Sequence, residues 1–482
     1  MWDKEADIVI VGYGGAGASA AIVAHDLGMK VTVIEKMDKG GGNTRLAGGT
    51  IREYLNVERA VEYYEAILPS DVSRDMIEAF VRECAKTSEW LRRIGGELER
   101  AEEGRFPPAP HVIWPHLKGA EGVGGRWLVK GESKIGGENL WALLAENVAK
   151  RRIEVLYNTS ASYLVAEDKR GEREVKGVVV KTGSREIRIK AGRAVILSCG
   201  GFQFNEKMHT TYLGFKYCAQ GNLGNTGDGI LMAQEIGADL WHMNAVSCGL
   251  GYKFPEYPMG IGIGPKGPGY IYVDQAGNRF MDEGGVDVHA MAFAVSWVDF
   301  KNLSYPRIPA YLIFDESVRR SGPIIARHPG AIIDHYKWSE DNEAEIKKGW
   351  IKASHTIRDL AVQIGIDPKA LQRTIATYNL YCLSLYDPDF GRSEETLKPI
   401  VNPPFYGVEV WPCLMNTQGG PRRNAKGQVI DVRGKVIKRL YSAGELGSMW
   451  GIFYPGAGNI SEALTFGRIV AENAAKETPL EG

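Results

Sequence analysis

The residues with the clearest chemical meaning form a short run directly after the apolar stretch DIVIV near the N-terminus. They are Gly12, Gly14, Gly15, Ala16 and Gly17. Glycines let the backbone turn tightly, so that N–H groups at the start of the following helix can bind a pyrophosphate. Glu35 and Lys36 come about twenty residues later, where a carboxylate can accept hydrogen bonds from both ribose hydroxyls. This combination predicts a dinucleotide site.

A second glycine-rich loop follows the ribose-binding strand at once. Its candidate ligand contacts are Gly41, Gly42, Asn43, Thr44, Ala47, Gly48 and Gly49. A loop so close to Glu35 suits a long ligand that continues beyond the pyrophosphate, as FAD does. The loop contains no histidine, so we expect the flavin to be held non-covalently.

Further glycine motifs return later in the chain, as SCGG, TGDG, SAGE and YPGAGNIS. The remaining expected cofactor contacts are Ala161, Gly200, Asp228, Gly444, Glu445, Asn459 and Ile460. The last motif leads into a final helix. Backbone N–H groups at the start of that helix would face the flavin and favour the negative charge of its reduced form.

The elements that must position these residues can be read from hydrophobic periodicity. Residues 7–11 predict a strand, 16–27 a small-residue helix and 30–35 a second strand, which together open a doubly wound sheet. Residues 249–269 are dense in Gly and Pro and predict an ordered loop. Residues 340–383 predict helices.

Glycine motifs for a cofactor lie near both ends of the chain, and the composition of the segment between them differs. This arrangement predicts an α/β fold with an inserted domain. We expect a doubly wound, Rossmann-like FAD-binding domain from residues 1–243 plus 402–482. An inserted α+β capping domain, residues 244–401, would cover the substrate.

Composition excludes several classes of function. Lys and Arg number 58 and Asp and Glu 59, a net charge of −1, so no basic surface for nucleic acid is expected. No stretch reaches the ~20 apolar residues that a membrane span needs, and the acidic N-terminus does not resemble a signal peptide. Six scattered cysteines without a CxxC pair predict reduced thiols and a cytoplasmic protein.

These motifs together resemble the fumarate reductase/succinate dehydrogenase flavoprotein superfamily. The likeness runs over nearly the whole chain and includes GGGNT, AGG, SCGG, TGDG, GNRFMDE, NTQGG, SAGE and ALTFGRIVA. Within the superfamily, YPGAG is similar to the branch of 3-ketosteroid dehydrogenases and related cyclic-ketone desaturases. The resemblance implies FAD and an oxidoreductase.

This chain differs from the fumarate-type branch of the superfamily, which acts on dicarboxylates, in the groups that bind a dianion. The resemblance leads us to expect arginines near the positions of Asp287 and Tyr454, and a histidine where this chain has Asn416. A site without those cations would bind a dianion poorly. We therefore favour a largely apolar cyclic ketone over a dicarboxylate.

Desaturating a ketone requires a base for the α-proton, a hydride acceptor for the β-hydrogen and fixed donors for the enolate-like oxygen. The ketosteroid branch implies that the Tyr454 hydroxyl and the Gly458 N–H hold the carbonyl. That branch uses a tyrosine base where this chain has Asp287 and His289, and either of these could serve. The other candidates for the base are Tyr252, Tyr257, Tyr270 and Tyr272. Arg422 and Arg423 could reach a substrate carboxylate or a CoA phosphate.

Four functions are therefore open. The favoured one is α,β-dehydrogenation of a cyclic ketone, and its reverse, reduction of a cyclic enone, would use the same residues. The others are a fumarate-type reductase of a small acid and an electron-transfer subunit without its own substrate. The chain has no CxxCH haem motif, so we expect a separate electron acceptor or donor. An oligomer is compatible with the sequence.

Overall fold

A computed structural model describes residues 1–480 apart from 102–111, 170, 286, 288 and 327–329. The strands are β1 Lys4–Val11, β2 Val31–Ile34, β3 Ile51–Tyr54, β4 Leu98–Arg100, β5 Val123–Val129, β6 Glu154–Leu156, β7 Thr159–Lys169, β8 Glu172–Thr182, β9 Arg185–Leu197, β10 Cys218–Ala219, β11 Leu240–Trp241, β12 Val246–Lys253, β13 Gly260–Gly262, β14 Tyr270–Val273, β15 Ala310–Asp315, β16 Lys352–Ser354, β17 Phe405–Thr417, β18 Gly420–Pro421, β19 Gln428–Ile430 and β20 Val436–Ser442. The α-helices are α1 Gly15–Asp26, α2 Gly42–Leu46, α3 Val57–Ile67, α4 Arg74–Cys84, α5 Thr87–Arg93, α6 Gly136–Lys150, α7 Glu206–Met208, α8 Asp228–Glu235, α9 Met291–Val295, α10 Glu316–Arg320, α11 Glu343–Lys347, α12 Ile357–Ile364, α13 Pro368–Ser384 and α14 Gly458–Ala474. Short 3-10 or π turns occupy Ala120–Gly122, His209–Leu213, Ala331–Asp334 and Glu394–Thr396.

The first sheet has the strand order β19-β20-β8-β9-β1-β2-β6, with β7 paired to β8. β1 lies between β2 and β9 and is parallel to both. The predicted strand, helix and strand at the N-terminus are confirmed as β1, α1 and β2. The α/β fold class is therefore confirmed.

Both faces of this sheet are buried, as expected of a parallel sheet covered on each side. Ile8 and Ile10 of β1 point toward α1 and α14, whereas Val9 and Val11 point to the opposite face. Fully burying such a side chain contributes about 1.5–3 kcal/mol. The two helices approach closely, because a Cβ on Gly467 would lie 2.5 Å from the Ala16 carbonyl oxygen. The last helix thus packs on the first, and both chain ends build one layer.

The second sheet has the order β13-β12-β17-β15-β14, and β10 and β16 also pair with β17. β17 is its central strand, although it follows residue 401, where we predicted the capping domain to end. β10 likewise precedes the predicted start at residue 244. Strand pairing therefore extends the second layer beyond the predicted limits on both sides.

The prediction of a loop over residues 249–269 is wrong in part. β12 and β13 pair within this stretch, with Gly251 opposite Gly262. A Cβ on Gly251 would lie 2.6 Å from the Ile261 carbonyl oxygen. Here glycine permits close packing inside a sheet, and the same residue type in a loop gives no different sequence signal.

Two other structural findings concern the environment of the chain. Among the helices of the described residues, none is both long enough and apolar enough to cross a membrane. All six cysteines are free thiols, and only Cys199 is less than fully buried.

Candidate active site

A cavity of about 1130 Å³ opens between the two sheets. Its walls include Gly12 and Glu35, at the carboxyl ends of β1 and β2, and Leu250 of β12 on the opposite side. Ligands of open α/β sheets bind outside the carboxyl ends of the strands. The cavity therefore lies where the sequence predicts the cofactor, with the second sheet as its cover.

The glycine run forms one end of the cavity. Gly12 has φ +102°, and a Cβ there would lie 2.5 Å from the Ser198 carbonyl oxygen, so the turn requires glycine. At Gly14 and Gly42 an added Cβ would meet its nearest neighbours only at 3.7 and 3.8 Å. These two positions leave open space beside the start of α1, and no side chain caps that helix. The N–H groups there suit a pyrophosphate.

Glu35 and Lys36 lie beside this end. The Glu35 carboxylate accepts hydrogen bonds from the N–H groups of Tyr13 (3.0 Å) and Met37 (2.8 Å). Burial raises its pKa, although these N–H groups and Lys36 oppose the rise. The Lys36 ammonium donates a hydrogen bond to Asp228 at 2.6 Å and so connects the TGDG turn to the end of β2.

The second glycine loop joins three parts of the chain. The Asn43 amide donates to Glu445 (2.8 Å) and accepts the Asn222 N–H (2.7 Å). The Thr44 hydroxyl accepts the Gly15 N–H at 3.0 Å. The other predicted contacts that line the cavity are Gly15, Ala16, Ala47, Gly48, Gly49, Ala161, Gly200, Gly444 and Ile460.

Glu445 is the most perturbed carboxyl group of the cavity. Burial raises its pKa to about 7, although the Thr417 N–H (3.1 Å) and the amides of Asn43 and Gln203 donate to it. Gln203 and Thr417 were not among the predicted site residues, although Thr417 lies in the NTQGG motif. Burial thus makes the Glu445 carboxyl easier to protonate than that of an exposed glutamate.

Tyr454 lies at the other end of the cavity, beside the start of α14. Its hydroxyl accepts the Asn459 N–H at 2.9 Å. Burial raises the pKa of Tyr454, although that N–H and the Arg52 guanidinium oppose the rise. The hydroxyl therefore keeps its proton at neutral pH and can donate it in a hydrogen bond to a ligand.

Asp287 and His289 form a hydrogen-bonded pair next to Tyr454. The Asp287 carboxylate accepts hydrogen bonds from the backbone N–H of His289 (2.9 Å) and from its ring nitrogen Nδ1 (2.7 Å). The rings of His289 and Tyr454 meet edge to face, with centroids 4.8 Å apart. Although burial opposes ionisation, the charge and hydrogen bonds of His289 and the charge of Arg126 keep the pKa of Asp287 below its usual value. Asp287 thus stays ionised, and Nε2 is the imidazole nitrogen left for a substrate.

A buried cation was missed by the sequence analysis. Arg126 of β5 lines the cavity, and its side chain is close enough to Asp287 to lower the pKa of that carboxyl. β5 joins the site only through pairing with β3 and β4, so no local motif marks it. Asn416, predicted in place of a histidine, also lines the cavity and accepts the Asn459 amide at 3.0 Å.

Several predicted residues lie outside the cavity wall. Gly17 packs against β1, since a Cβ there would lie 2.0 Å from the Gly12 carbonyl oxygen. Gly41 donates its N–H to Tyr13 at 2.7 Å. Gly458 lies under Tyr454, where a Cβ would come 2.9 Å from Cε2 of that ring. All three shape the site without lining the cavity.

The four tyrosines predicted as alternative bases are less suited to that role than Asp287 and His289. Tyr252 and Tyr257 do not line the cavity, and they pack with the apolar core of the second sheet. Tyr270 and Tyr272 do line it, but burial raises the pKa of Tyr270 to about 12 and that of Tyr272 further, which makes both poor bases.

Neither arginine of the predicted substrate-binding pair reaches the cavity. Arg422 binds Asp239 (2.6 Å) and Asp71 (3.1 Å) at the surface. Arg423 is buried against Glu462 and donates to the carbonyls of Gly444 and Leu446. The sequence left these arginines open between a substrate contact and ordinary basic residues, and their protein partners favour the second interpretation.

Comparison with known families gives the cofactor. The model of the FAD binding domain matches residues 7–460. The chain belongs to this family. The glycine cradle, the Glu35 carboxylate and the cavity volume of about 1130 Å³ all fit FAD, which these residues would hold between the two sheets.

Relatives from two branches are about equally similar. The chain is 28% identical to the 3-oxosteroid 1-dehydrogenase of Mycolicibacterium smegmatis, over 98% of each chain. It is also 28% identical to the NADH:fumarate oxidoreductase of Klebsiella pneumoniae, over 98% of this chain, and spans 48% of that relative's length. A 3-ketosteroid Δ1-dehydrogenase from Sterolibacterium denitrificans has the same fold, with a TM-score of 0.84 at 23% identity over 98% and 99% of the two chains.

The resemblance to the fumarate reductase and ketosteroid dehydrogenase superfamily is thereby confirmed. The chain is an FAD-dependent oxidoreductase, and the dehydrogenases and reductases among its relatives point to CH–CH bonds as the place where it acts.

Proposed function

We propose that this protein removes or adds hydrogen across the α,β carbon–carbon bond of a cyclic, largely apolar ketone. The observation that carries the proposal is the contact between His289 and Tyr454, with ring centroids 4.8 Å apart. A base and a hydroxyl donor on neighbouring rings provide what enolisation needs, because the α-proton leaves while the carbonyl oxygen gains negative charge.

His289 acts as the base in this scheme, and Asp287 orients it. Since Nδ1 of His289 is held 2.7 Å from the ionised Asp287 carboxylate, the proton of the neutral ring sits on Nδ1. Nε2 then carries the lone pair that accepts the α-proton. The negative charge of Asp287 stabilises the imidazolium that results. In the reverse direction the imidazolium returns the proton to the α-carbon.

Tyr454 polarises the carbonyl. Its hydroxyl receives the Asn459 N–H, and this bond leaves the hydroxyl's own hydrogen free to point to a ligand. Gly458, expected as the second donor, does not line the cavity and its N–H is directed to the Tyr454 hydroxyl, so here it supports Tyr454 rather than the carbonyl. When bound, FAD accepts the β-hydride in desaturation or supplies it in reduction.

The rest of the cavity wall suits an apolar substrate. Four apolar residues both line the cavity and belong to the core of the second sheet, namely Leu46, Leu250, Ile263 and Met291. A pocket of this kind, with a few convergent polar groups, is typical of sites for small apolar ligands. The cover that the second sheet forms also argues against an electron-transfer subunit without a substrate.

Arg126 favours a second candidate, reduction of a small unsaturated acid. Arg126 lines the cavity, and its positive charge would attract a carboxylate bound there. The ionised Asp287 lies near it, however, and repels a second negative charge. We therefore rank a ketone first and a monoanionic acid above a dianion.

The test is a set of anaerobic half-reactions followed by flavin absorbance. The purified yellow protein is mixed with saturated cyclic ketones, including 3-ketosteroids and cyclohexanones. After chemical reduction it is mixed with the matching enones and with fumarate. Bleaching by a ketone, or reoxidation by an enone, is the expected result. Reoxidation by fumarate alone would overturn the proposal in favour of the acid reductase.

A further inference from the structure

The segment that carries Tyr454 is held from behind by one arginine. Arg52 lies on β3, three residues after the second glycine loop, and is 3% exposed. Its Nη2 donates to the carbonyl oxygens of Pro455 (2.9 Å) and Gly456 (2.7 Å). Nη1 donates to Gly124 at 3.4 Å. The guanidinium therefore bridges two consecutive peptide groups of the 454–458 segment.

The backbone of Arg52 adds a second hold through Ser461. The Arg52 N–H donates to the Ser461 hydroxyl at 2.9 Å, and that hydroxyl donates to the Ala457 carbonyl at 2.7 Å. Three consecutive carbonyls, of residues 455, 456 and 457, thus face Arg52 or its hydrogen-bond partner. Gly456 and Ala457 also have φ of +69° and +54°. Alanine is strained in this left-handed backbone conformation and needs such support.

The direction of these carbonyls fixes the direction of the N–H groups. In a trans peptide the C=O of one residue and the N–H of the next point opposite ways. With the carbonyls of Pro455 and Gly456 turned to Arg52, the N–H groups of Gly456 and Ala457 point away from it. Pro455, Gly456 and Ala457 line the cavity, whereas Arg52 does not. Arg52 therefore lies behind a row of backbone donors.

We propose that Arg52 is a positioning residue, which sets the orientation of the 454–458 segment so that its donors and the Tyr454 hydroxyl converge on the oxygen of a bound carbonyl. The inference rests on the proposed function, since it concerns the site that would bind the ketone. The guanidinium also places a positive charge behind the segment, where it favours an oxygen that becomes negative.

The experiment measures oxyanion binding rather than turnover. Pentafluorophenol, which is ionised at neutral pH, and phenol, which is not, are titrated into the oxidised holoenzyme, and flavin absorbance gives each Kd. The two ligands differ in ring substituents in the same way for every variant, so a change in the ratio of their Kd values between wild type and variant reports on stabilisation of the negative oxygen. General damage to the fold weakens both ligands and leaves the ratio unchanged.

Arg52→Lys is the first variant and Arg52→Met the second. Lysine keeps the charge but lacks the second nitrogen that holds the Gly124 carbonyl, so we expect the preference for the phenolate to fall by about threefold, and by about tenfold or more in Arg52→Met, which removes every donor. Arg468→Met is the matched control, because Arg468 is equally buried and donates to Glu83 and Thr87 away from the cavity. It should leave the ratio unchanged.

Tyr454→Phe separates the two proposals. If Tyr454→Phe lowers the phenolate preference and both Arg52 variants retain the wild-type ratio, Arg52 is not a positioning residue and the proposed function stands. If Tyr454→Phe itself leaves the ratio unchanged, the carbonyl assignment of the proposed function fails. A lowered ratio in all three variants, with Arg468→Met unaffected, supports both.

Discussion

Replacing Tyr454 with phenylalanine removes one hydroxyl and keeps the ring that packs on His289 and Trp450. If that hydroxyl stabilises the enolate-like oxygen, its loss should slow the chemical step by about 10²–10³-fold, or ~2.7–4 kcal/mol. KM should change little, because the interaction strengthens mainly in the transition state. The Asn459 N–H loses its acceptor, but it lies at the cavity wall, where water can replace the hydroxyl. We expect a stability loss of about 1 kcal/mol.

The assay is the rate of flavin bleaching by a saturated cyclic ketone in an anaerobic stopped-flow mixer. Tyr406→Phe is the control, since the Tyr406 hydroxyl is also buried and donates to Glu316 at 2.7 Å in the second sheet, away from the cavity. Both variants should lose similar stability in urea denaturation, and only Tyr454→Phe should lose the bleaching rate. Wild-type bleaching in Tyr454→Phe would refute the assignment of a carbonyl to this hydroxyl.

Three further predictions concern other groups of the cavity. His289→Gln should slow bleaching by about 10²–10⁴-fold, and Asp287→Asn by less because Nε2 remains; equal rates in Asp287→Asn and wild type would remove Asp287 from the mechanism. Glu445 has a pKa of about 7 in the folded protein against an ordinary 4.5, so its protonation stabilises the fold at low pH and this stabilisation is lost as pH rises through 7. Urea denaturation of the flavin-free protein should show about 1 kcal/mol lost between about pH 6 and 8, and a loss of the same size in Glu445→Gln would assign it to another group. Gly14→Ala should fold but bind FAD at least about tenfold more weakly in a fluorescence titration, because its methyl group enters the open space beside α1; Gly192→Ala, whose added Cβ lies 3.5 Å or more from its neighbours, should bind FAD normally.

The parts of the site that local sequence dictates could be predicted. Gly12 and Gly14 lie in a strand, turn and helix that follow one another in the chain, so spacing alone identifies them, and Glu35 ends the neighbouring strand. The same applies to Tyr454, whose distance from the start of α14 is fixed within a few residues.

The parts that depend on long-range pairing could not be predicted. Arg126 and Arg52 reach the site through the small sheet of β3, β5 and β4, and neither has a local motif. β17 follows the predicted domain boundary and still pairs with β12 and β15, because strand partners are chosen by the whole fold. The sequence also could not rank Asp287 against His289 as the proposed base, because the ranking depends on the hydrogen bond between the two side chains.

The most direct test of the central claim compares flavin bleaching by a saturated cyclic ketone with bleaching by the same ketone deuterated at its β-carbon. The proposed mechanism predicts that the unlabelled ketone bleaches the flavin and that β-deuteration slows this step, because the β-hydrogen leaves as hydride in the same reaction that gives the α-proton to His289. Bleaching at the same rate with both ketones, or no bleaching by any saturated ketone while fumarate reoxidises the reduced protein, would contradict it.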